Sequence, residues 1–544
     1  MGGPSLNLEG FDGPGRDALL ADLPDHVEVA VIGGGINGCA IALEAAQRGH
    51  RVLLLEKGDI GSGTSSRSSR LIHGGLRYLR DGKFRLVREA SRERHWLLSQ
   101  FPHLVKPLRF LIPFYRGQGR HWVTRLGLWL YDYLSGYTNV SKHRRVSPRR
   151  VVAAEPRIRR EELLGGAFYY DAWTDDFRLV LQNARRAHAA GAYILPYARV
   201  EEIRMEGGRA TGVAFRDVLA DRRHEVRSDL VVNATGPWSD TIRHMMGQPP
   251  RLRPTKGVHL FLPRTQVGNM NAVVMRSPDD RRFVFALPWR SLTLIGTTDT
   301  DYRGSPEEAR AESDDVAYLL DAVNETFPLA HAEPEDVVST YAALRPLAGR
   351  LGIPESSVGR REKIIVDAPG LVSLIGGKLT TYRSVARRVV GRVLRNRRAP
   401  PDRMATEPPR TVPGAGEEEA GKAEGLGLGP ETLEYLKMAS EGQMEDQLAI
   451  LEDRSLRDRL IPDLPYIRGQ VAYAVRHEMA LRLEDVLARR LRILYEDPDH
   501  GLGVAEAVAG LMAAHLGWDD ARIAKELEHY RSVVDASEAF RRGP

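Results

Sequence analysis

The segment VIGGGING, from Val31 to Gly38, sets Gly33, Gly35 and Gly38 in a GxGxxG spacing. Those residue types in that order suit a pyrophosphate cradle. Gly33 permits a tight strand-to-helix turn, Gly35 lets the backbone approach a phosphate, and Gly38 lets the helix pack close to the strand. The N-terminus of the helix that follows offers unpaired N–H groups and partial positive charge. Glu56 stands at the end of a second apolar run, LLLEK, from Leu53 to Lys57. A carboxylate about 20 residues beyond the glycines can accept hydrogen bonds from a ribose 2′-hydroxyl and would repel a 2′-phosphate. The motif therefore points to FAD or NAD rather than NADP. A Gly-rich turn without a ligand is the bland alternative. The complete strand–turn–helix–strand–Glu context weighs against it.

Four other groups have chemistry-bearing residues. TSSRSSRLIHGGLRY, Thr64 to Tyr78, carries hydroxyls, backbone amides and Arg77, whose guanidinium can grip a phosphate with two parallel bonds. The same stretch also reads as a solvated loop. Arg345, in ALRPL, sits between apolar residues, and Arg360 and Arg361 follow in VGRREKI. Lone arginines are usually surface residues. PTKGVHLFL holds Lys256 and His259, and a histidine alternating with apolar residues is more often a satisfied core residue than a catalyst. IGGKLTTYR, Ile375 to Arg383, places two glycines before a helix start, with Thr380 and Thr381 as candidate caps. A second helix N-terminus there, with Lys378, would stabilise negative charge on a reduced ring system.

The elements that must position these groups can be read coarsely. Residues 1–26 read as a flexible leader with one short helical turn, and residues 27–58 as a β–α–β unit. Residues 59–78 read as loop, and FRLVREASRERHWLLSQ as helix. In HWVTRLGLWLYDYL, Trp122, Leu126, Trp129 and Tyr133 share one helical face, which is more often core than membrane contact. Strands recur over 166–260 around a helix near 176–190, over 270–300, and near Ile364 to Ile375. Residues 307–327 read as helix. Pro, Gly and Glu mark 399–430 as a linker, and 431–544 reads as almost wholly helical.

The composition narrows the class. A chain of 544 residues, 42% hydrophobic and 28% charged, is an ordinary globular protein with room for three or four domains. Its single cysteine, Cys39, rules out an intramolecular disulfide and reads as a small core residue on the first helix. The formal charge of +6 is modest, and the basic pieces lack the interleaved aromatics of a nucleic-acid platform, so no nucleic-acid partner is expected. Neither a signal peptide nor a membrane span is apparent. There is no metal-ligand cluster, so no metal is expected. RHEMAL lacks the second histidine of a zinc-protease helix, and GSGTS is no nucleophile elbow.

Taken together and in this order, VIGGGING, TSSRSSRLIHGGLRYL, YYDAWTDDFRLVLQNA, VNATGPW, KGVHLFLP, IGTTDTDY, LRPL and GGKLTTYR closely resemble the respiratory FAD-dependent glycerol-3-phosphate dehydrogenases. The blocks run from about residue 27 to 395, and VRHEMALRLEDVLARR resembles that family's C-terminal cap domain. The resemblance implies an α/β plus α fold. This is a Rossmann-like FAD-binding domain of the glutathione-reductase/D-amino-acid-oxidase type, with an interleaved antiparallel-sheet substrate domain and a C-terminal helical cap. FAD-binding segments are expected near 27–85, 165–240 and 340–398, and substrate segments near 86–164 and 241–339. The implied reaction takes sn-glycerol 3-phosphate to dihydroxyacetone phosphate, with hydride passing from C2 to flavin N5. Electrons would pass on to quinone, from a cytoplasmic protein lying on the inner face of the membrane. A homodimer stays open.

By the same resemblance, Gly33, Gly35, Asn37, Gly38, Glu56 and Lys57 bind the ADP half of FAD. Thr64, Ser65, Ser66 and Gly236 lie along the cofactor, and Gly377, Lys378, Leu379 and Thr380 lie by the flavin ring. Arg77, Tyr78, His259, Arg345 and Arg361 match substrate positions. His259 is the expected base, with a near-neutral pKa suiting the step. Arg345 is the expected electrostatic aid to a developing alkoxide. An oxygen-reducing glycerophosphate oxidase and an amino-acid oxidase or dehydrogenase of the same flavoprotein group are the alternatives. A flavin-binding scaffold without turnover is a third.

Overall fold

The computed structural model describes residues 8–80, 82–117, 121–135, 140–349, 362–394, 417–440 and 444–542, without the side chains of 77, 80, 121–125 and 417–420. Strand β1 (His26–Ile32) is buried along nearly its whole length, as a central parallel strand covered on both faces must be. It pairs in parallel with β2 (Val52–Leu55) on one side and with Arg222–Asn233 on the other. The helix between β1 and β2, Ile36–Gln47, buries Cys39, Ile41, Ala42 and Ala45 completely. Small side chains there bring the helix close to the sheet. Cys39 is a core residue as expected, and burial raises its pKa far above the usual thiol range. The full order of this first sheet is Lys363–Ala368, Leu371–Ile375, Arg222–Asn233, β1, β2 and Tyr193–Leu195. The antiparallel strands Ala198–Glu206 and Arg209–Asp217 attach to it beside Arg222–Asn233.

The second sheet has ten strands and is antiparallel except where Ala272–Arg276 runs parallel to Val105–Tyr115. Its central long strand, Leu252–Pro263, pairs with Ser339–Ala348 along ten residues and with Leu292–Gly296 on its other side. Two expected boundaries move. Leu163–Thr174 pairs with Val105–Tyr115, and Ser339–Ala348 with Leu252–Pro263, so both belong to this second sheet. The dinucleotide-type domain resumes with the helix Asp176–Ala189 and the strand Tyr193–Leu195, and again at Lys363. A register with an existing neighbour decides sheet membership, and sequence order does not show it.

Residues 8–22 are not a flexible leader. The helix Gly13–Ala21 is anchored by Arg16, which is buried and donates to the carbonyl of Pro196 at 2.9 Å and to Asp217 at 2.5 Å. The expected linker is also shorter at its C-terminal end. Leu426 and Leu428 pack against Leu436, Met444, Leu451 and Ile467, and Glu417–Glu424 is helical. Residues 395–416 lie outside the described residues. The segment QVAYAVRHEMALRLEDVLARRLRIL is not one helix. Arg468–His477 ends before Met479 at φ 52°, and Asp485 accepts the N–H groups of Leu481 and Arg482 to start a π-helical turn, Asp485–Arg490.

Candidate active site

The glycine motif is built as its spacing demands. Gly33 turns at φ +106°, and a Cβ there would meet the Ala234 carbonyl at 2.8 Å. A Cβ on Gly38 would lie 1.8 Å from the Gly33 carbonyl oxygen. Gly35 caps the helix Ile36–Gln47 and faces the Ser65 hydroxyl, which accepts the Ile36 N–H at 3.0 Å. Glu56 accepts from the N–H of Gly34 at 2.6 Å and of Gly58 at 3.0 Å. Burial raises its pKa, and those two N–H groups hold it back. Each carboxylate oxygen keeps a further lone pair for a ribose hydroxyl. Lys57 does not face this cradle: its ammonium pairs with Glu307 at 2.6 Å and sits 3.9 Å above the Trp238 ring. Thr64 donates to the Leu344 carbonyl at 2.8 Å, and Ser66 is buried. Gly236, at φ +57°, opens on free space after the strand that ends in Asn233.

A second glycine turn closes on the first. Gly377, at φ +121°, lies against Asn37: a Cβ there would be 2.3 Å from the Asn37 amide nitrogen. Asn37 Oδ1 is buried with no hydrogen-bond partner among the described residues. Lys378 holds its ammonium 4.2 Å from the centre of the buried Tyr78 ring. Leu379–Thr381 forms a 3-10 turn leading into the helix Tyr382–Val393. Neither threonine caps that helix with its side chain; Thr380 accepts the His73 N–H at 3.1 Å instead. The GGKLTTY turn is thereby tied to the segment that leads into the short helix Leu76–Arg80, which carries Tyr78.

His259 and Arg345 lie on one face of the second sheet. His259 pairs with Tyr341 and Thr255 with Arg345, so the alternation along each strand points both side chains the same way. His259 Nε2 is 2.8 Å from Ser69 Oγ, and its ring stacks at a tilt on Tyr341, 5.0 Å between centres. Opposite it stands Gly296, where a Cβ would meet the imidazole at 2.1 Å. Arg345 bonds Asp299 at 3.1 Å, Thr297 at 3.0 Å and the Thr298 carbonyl at 3.1 Å. A Cβ on Gly257 would touch its guanidinium, so the glycine clears room beside His259's own strand. Burial first, then the charges of Arg345 and Arg70, lower the His259 pKa to about 3. The near-neutral value expected from the sequence does not hold, because the imidazole is buried between cations. Burial and these cations hold the ring neutral.

Arg77 lies in the short helix Leu76–Arg80 with its side chain outside the described residues, and Arg361 lies outside them altogether. Among the described residues no group of three or more His, Cys, Asp or Glu could hold a metal ion.

Comparison with known proteins decides what this arrangement belongs to. Residues 28–383 match the family model described as FAD dependent oxidoreductase, and 411–523 match that of the C-terminal domain of alpha-glycerophosphate oxidase. The chain is 38% identical over 526 residues to glycerol-3-phosphate dehydrogenase 2 of Mycobacterium tuberculosis, covering 94% of this chain and 88% of that one. The chain belongs to the FAD-dependent glycerol-3-phosphate dehydrogenase family. It is also 32% identical over 541 residues to the aerobic glycerol-3-phosphate dehydrogenase of Bacillus subtilis, covering 95% and 97% of the two chains. The solved glycerol-3-phosphate dehydrogenase of Bacillus halodurans, complexed with FAD, superposes with a TM-score of 0.79 at 28% identity, over 97% of this chain and 98% of that one.

FAD is the cofactor of this family, and the residues present fit it. Gly33, Gly35 and Gly38 leave a backbone cradle at a helix N-terminus, the Glu56 carboxylate closes on its turn at the Gly34 N–H, and the orphaned Asn37 Oδ1 sits where that cradle meets Gly377. Sequence reasoning missed several residues that surround His259. Ser69 and Tyr341 contact His259, and Arg70 packs its buried guanidinium 3.8 Å over the Trp289 ring. Ser69 and Arg70 stand inside TSSRSSR, yet no local signal says which of its serines and arginines turn inward.

Proposed function

We propose that the protein oxidises sn-glycerol 3-phosphate to dihydroxyacetone phosphate and passes the electrons to a quinone at a membrane surface. The observation that carries this reading is the shared face of His259 and Arg345, next to the loop Thr64–Arg70 that also lines the glycine cradle. The names of its relatives support the substrate.

Bound FAD supplies the acceptor for the hydride that leaves C2. The protein's own share is orientation, charge and one proton. His259 takes the C2 hydroxyl proton; its lowered pKa makes it a weak base, so the transfer leans on Arg345 stabilising the alkoxide on the same face. Where Nε2–H donates to Ser69 Oγ, Nδ1 is the free acceptor; Nδ1 is buried and has no partner among the described residues. Arg345, fixed by Asp299 and Thr297, stabilises negative charge growing on the alkoxide oxygen. Arg77, Tyr78 and Arg361 are assigned to the substrate, the two arginines to its phosphate, on the family resemblance. Holding C2 in place by two or three such contacts is a large share of the acceleration.

For the membrane surface, the helix His121–Leu134 supplies the support. Leu126, Trp129 and Tyr133 are each more than half exposed, and the last two stack at 5.8 Å. Those three residues of the face that amphipathicity suggested as core therefore point outward, while Leu128 and Tyr131 are buried and the Trp122 side chain lies outside the described residues. An exposed aromatic stripe suits an interfacial helix. The basic helix Tyr382–Val393 is a weaker candidate, because Arg388 pairs with Glu89 and Glu362 and Arg387 lies 3.8 Å from Glu44. No helix among the described residues is long and apolar enough to cross a membrane.

A second acceptor, oxygen, is favoured by one finding, the C-terminal match to an alpha-glycerophosphate oxidase domain. Stopped-flow re-oxidation of the reduced protein with a quinone analogue and with oxygen separates the two. Faster re-oxidation by oxygen than by quinone would reject the dehydrogenase reading.

A further inference from the structure

The C-terminal domain reaches the loop that holds His259, and it does so through a single turn. Arg492 is buried at φ +63°, a left-handed conformation that a side chain rarely adopts and that tends to persist where function requires it. It lies two residues beyond the π-helical turn Asp485–Arg490. Its guanidinium donates to Asp175 at 2.9 Å, to Asp176 at 2.7 Å and to the Ser66 carbonyl at 3.2 Å. The other carboxylate oxygen of Asp176 accepts the N–H of Ser68 at 3.0 Å and its hydroxyl at 2.8 Å. The next residue, Ser69, holds His259 Nε2.

Two neighbours of Arg492 end on the same loop. Tyr495 packs edge-on against Tyr341 at 5.4 Å, and Tyr341 stacks on His259 and donates to the Ser68 carbonyl at 2.7 Å. Glu496 accepts the Trp289 indole N–H at 2.8 Å, and the Arg70 guanidinium lies over that indole. Asp175 also caps the helix Asp176–Ala189 through the Arg178 N–H, and Arg178 pairs separately with Glu478.

We propose that Arg492 is a positioning residue for His259, acting from the C-terminal domain through Asp176, Ser68 and Ser69. This rests on His259 being the base. The Arg492 guanidinium is held by Asp175, Asp176 and the Ser66 carbonyl. It fixes the loop Ser66–Arg70, and through Ser69 it fixes which way the imidazole points.

The test uses the FAD-loaded full chain as wild type, Arg492→Lys, Ser68→Ala and the double variant. One readout is independent of turnover: carbethoxylation of His259 by diethyl pyrocarbonate, followed by mass spectrometry, against His26 as reference. The other is anaerobic flavin reduction by glycerol 3-phosphate. In Arg492→Lys, His259 should label about fivefold faster relative to His26, as local protection is lost. Its reduction rate should fall about tenfold while the substrate dissociation constant stays within about twofold. Ser68→Ala should shift both the same way by less, and the double variant should fall short of the product of the two, because they lie on one path. Unchanged labelling and rate in Arg492→Lys would overturn the proposal, as would His259 and His26 speeding up together. Should Arg492→Lys lose FAD, Ser68→Ala decides alone, since it exposes no buried charge. If wild type is not reduced by glycerol 3-phosphate, the proposed substrate fails, and the labelling comparison still tests Arg492.

Discussion

Gly38→Ala is the sharpest probe of the cofactor cradle. The added Cβ would lie 1.8 Å from the Gly33 carbonyl oxygen, a backbone atom that cannot swing aside. Real Cβ contacts do not fall below 3.0 Å, so the helix Ile36–Gln47 must retreat by about 1.2 Å from the strand it follows. That helix packs on Asp176–Ala189 and on Tyr382–Val393, so the retreat is resisted. Overpacking of this kind costs about 1–3 kcal/mol. The retreat also carries the Ile36 N–H and its neighbours away from the phosphate position. Charged wholly to binding, the cost weakens FAD about 5- to 150-fold. Flavin fluorescence titration of apoprotein measures this directly. Gly391→Ala is the control: it lies within the helix Tyr382–Val393 with open space around its Cβ position. It should leave FAD affinity within about twofold and raise the melting temperature slightly, as alanine favours the helix by about 1 kcal/mol. A Gly38→Ala protein that binds FAD within about twofold of wild type would refute the close-packed cradle.

Three further outcomes follow from named side chains. His259→Asn should keep FAD yet slow anaerobic flavin reduction about 10²- to 10⁴-fold, and reduction within about threefold would remove His259 as the base. Leu126→Ser with Trp129→Ser should abolish most co-sedimentation with anionic liposomes, whereas undiminished binding would assign the contact elsewhere. His103 has both ring nitrogens buried without a partner among the described residues, and burial, then Lys106, lowers its pKa from 6.5 to about 4. Between those values the unfolded chain takes up a proton that the folded one refuses, so stability falls as pH drops from about 6.5 to 4, by about 1–3 kcal/mol from this group. His103→Leu should therefore lose less melting temperature than wild type between pH 7 and about 4.5; an equal loss would show that His103 is not buried neutral.

Local features were the legible part of this chain. Gly33, Gly35, Gly38 and Glu56 announced a dinucleotide because the tight turn, the glycines and the carboxylate lie within one β–α–β unit. His259 was visible only as a histidine on a strand. Its environment comes from Ser69, 190 residues away, and from strands whose register no local pattern encodes. That distance also explains the lowered pKa, since the elements that bury the ring, and the cations Arg345 and Arg70 beside it, lie far from it in sequence. The helix His121–Leu134 showed which residues share a face, but periodicity cannot tell an inward face from an outward one. Arg492 lies 316 residues from the Asp176 it grips, in a segment that reads as plain helix. Its left-handed backbone and the π-helical turn before it arise from tertiary contacts, not from propensity.

The most direct test of the account is anaerobic mixing of the FAD-loaded protein with glycerol 3-phosphate while the oxidised-flavin absorbance is followed. The account predicts bleaching that saturates with substrate, yields dihydroxyacetone phosphate in amounts equal to the flavin reduced, and is absent with glycerol or an amino acid. A flavin that stays oxidised under glycerol 3-phosphate, in protein that holds FAD fully, would contradict it.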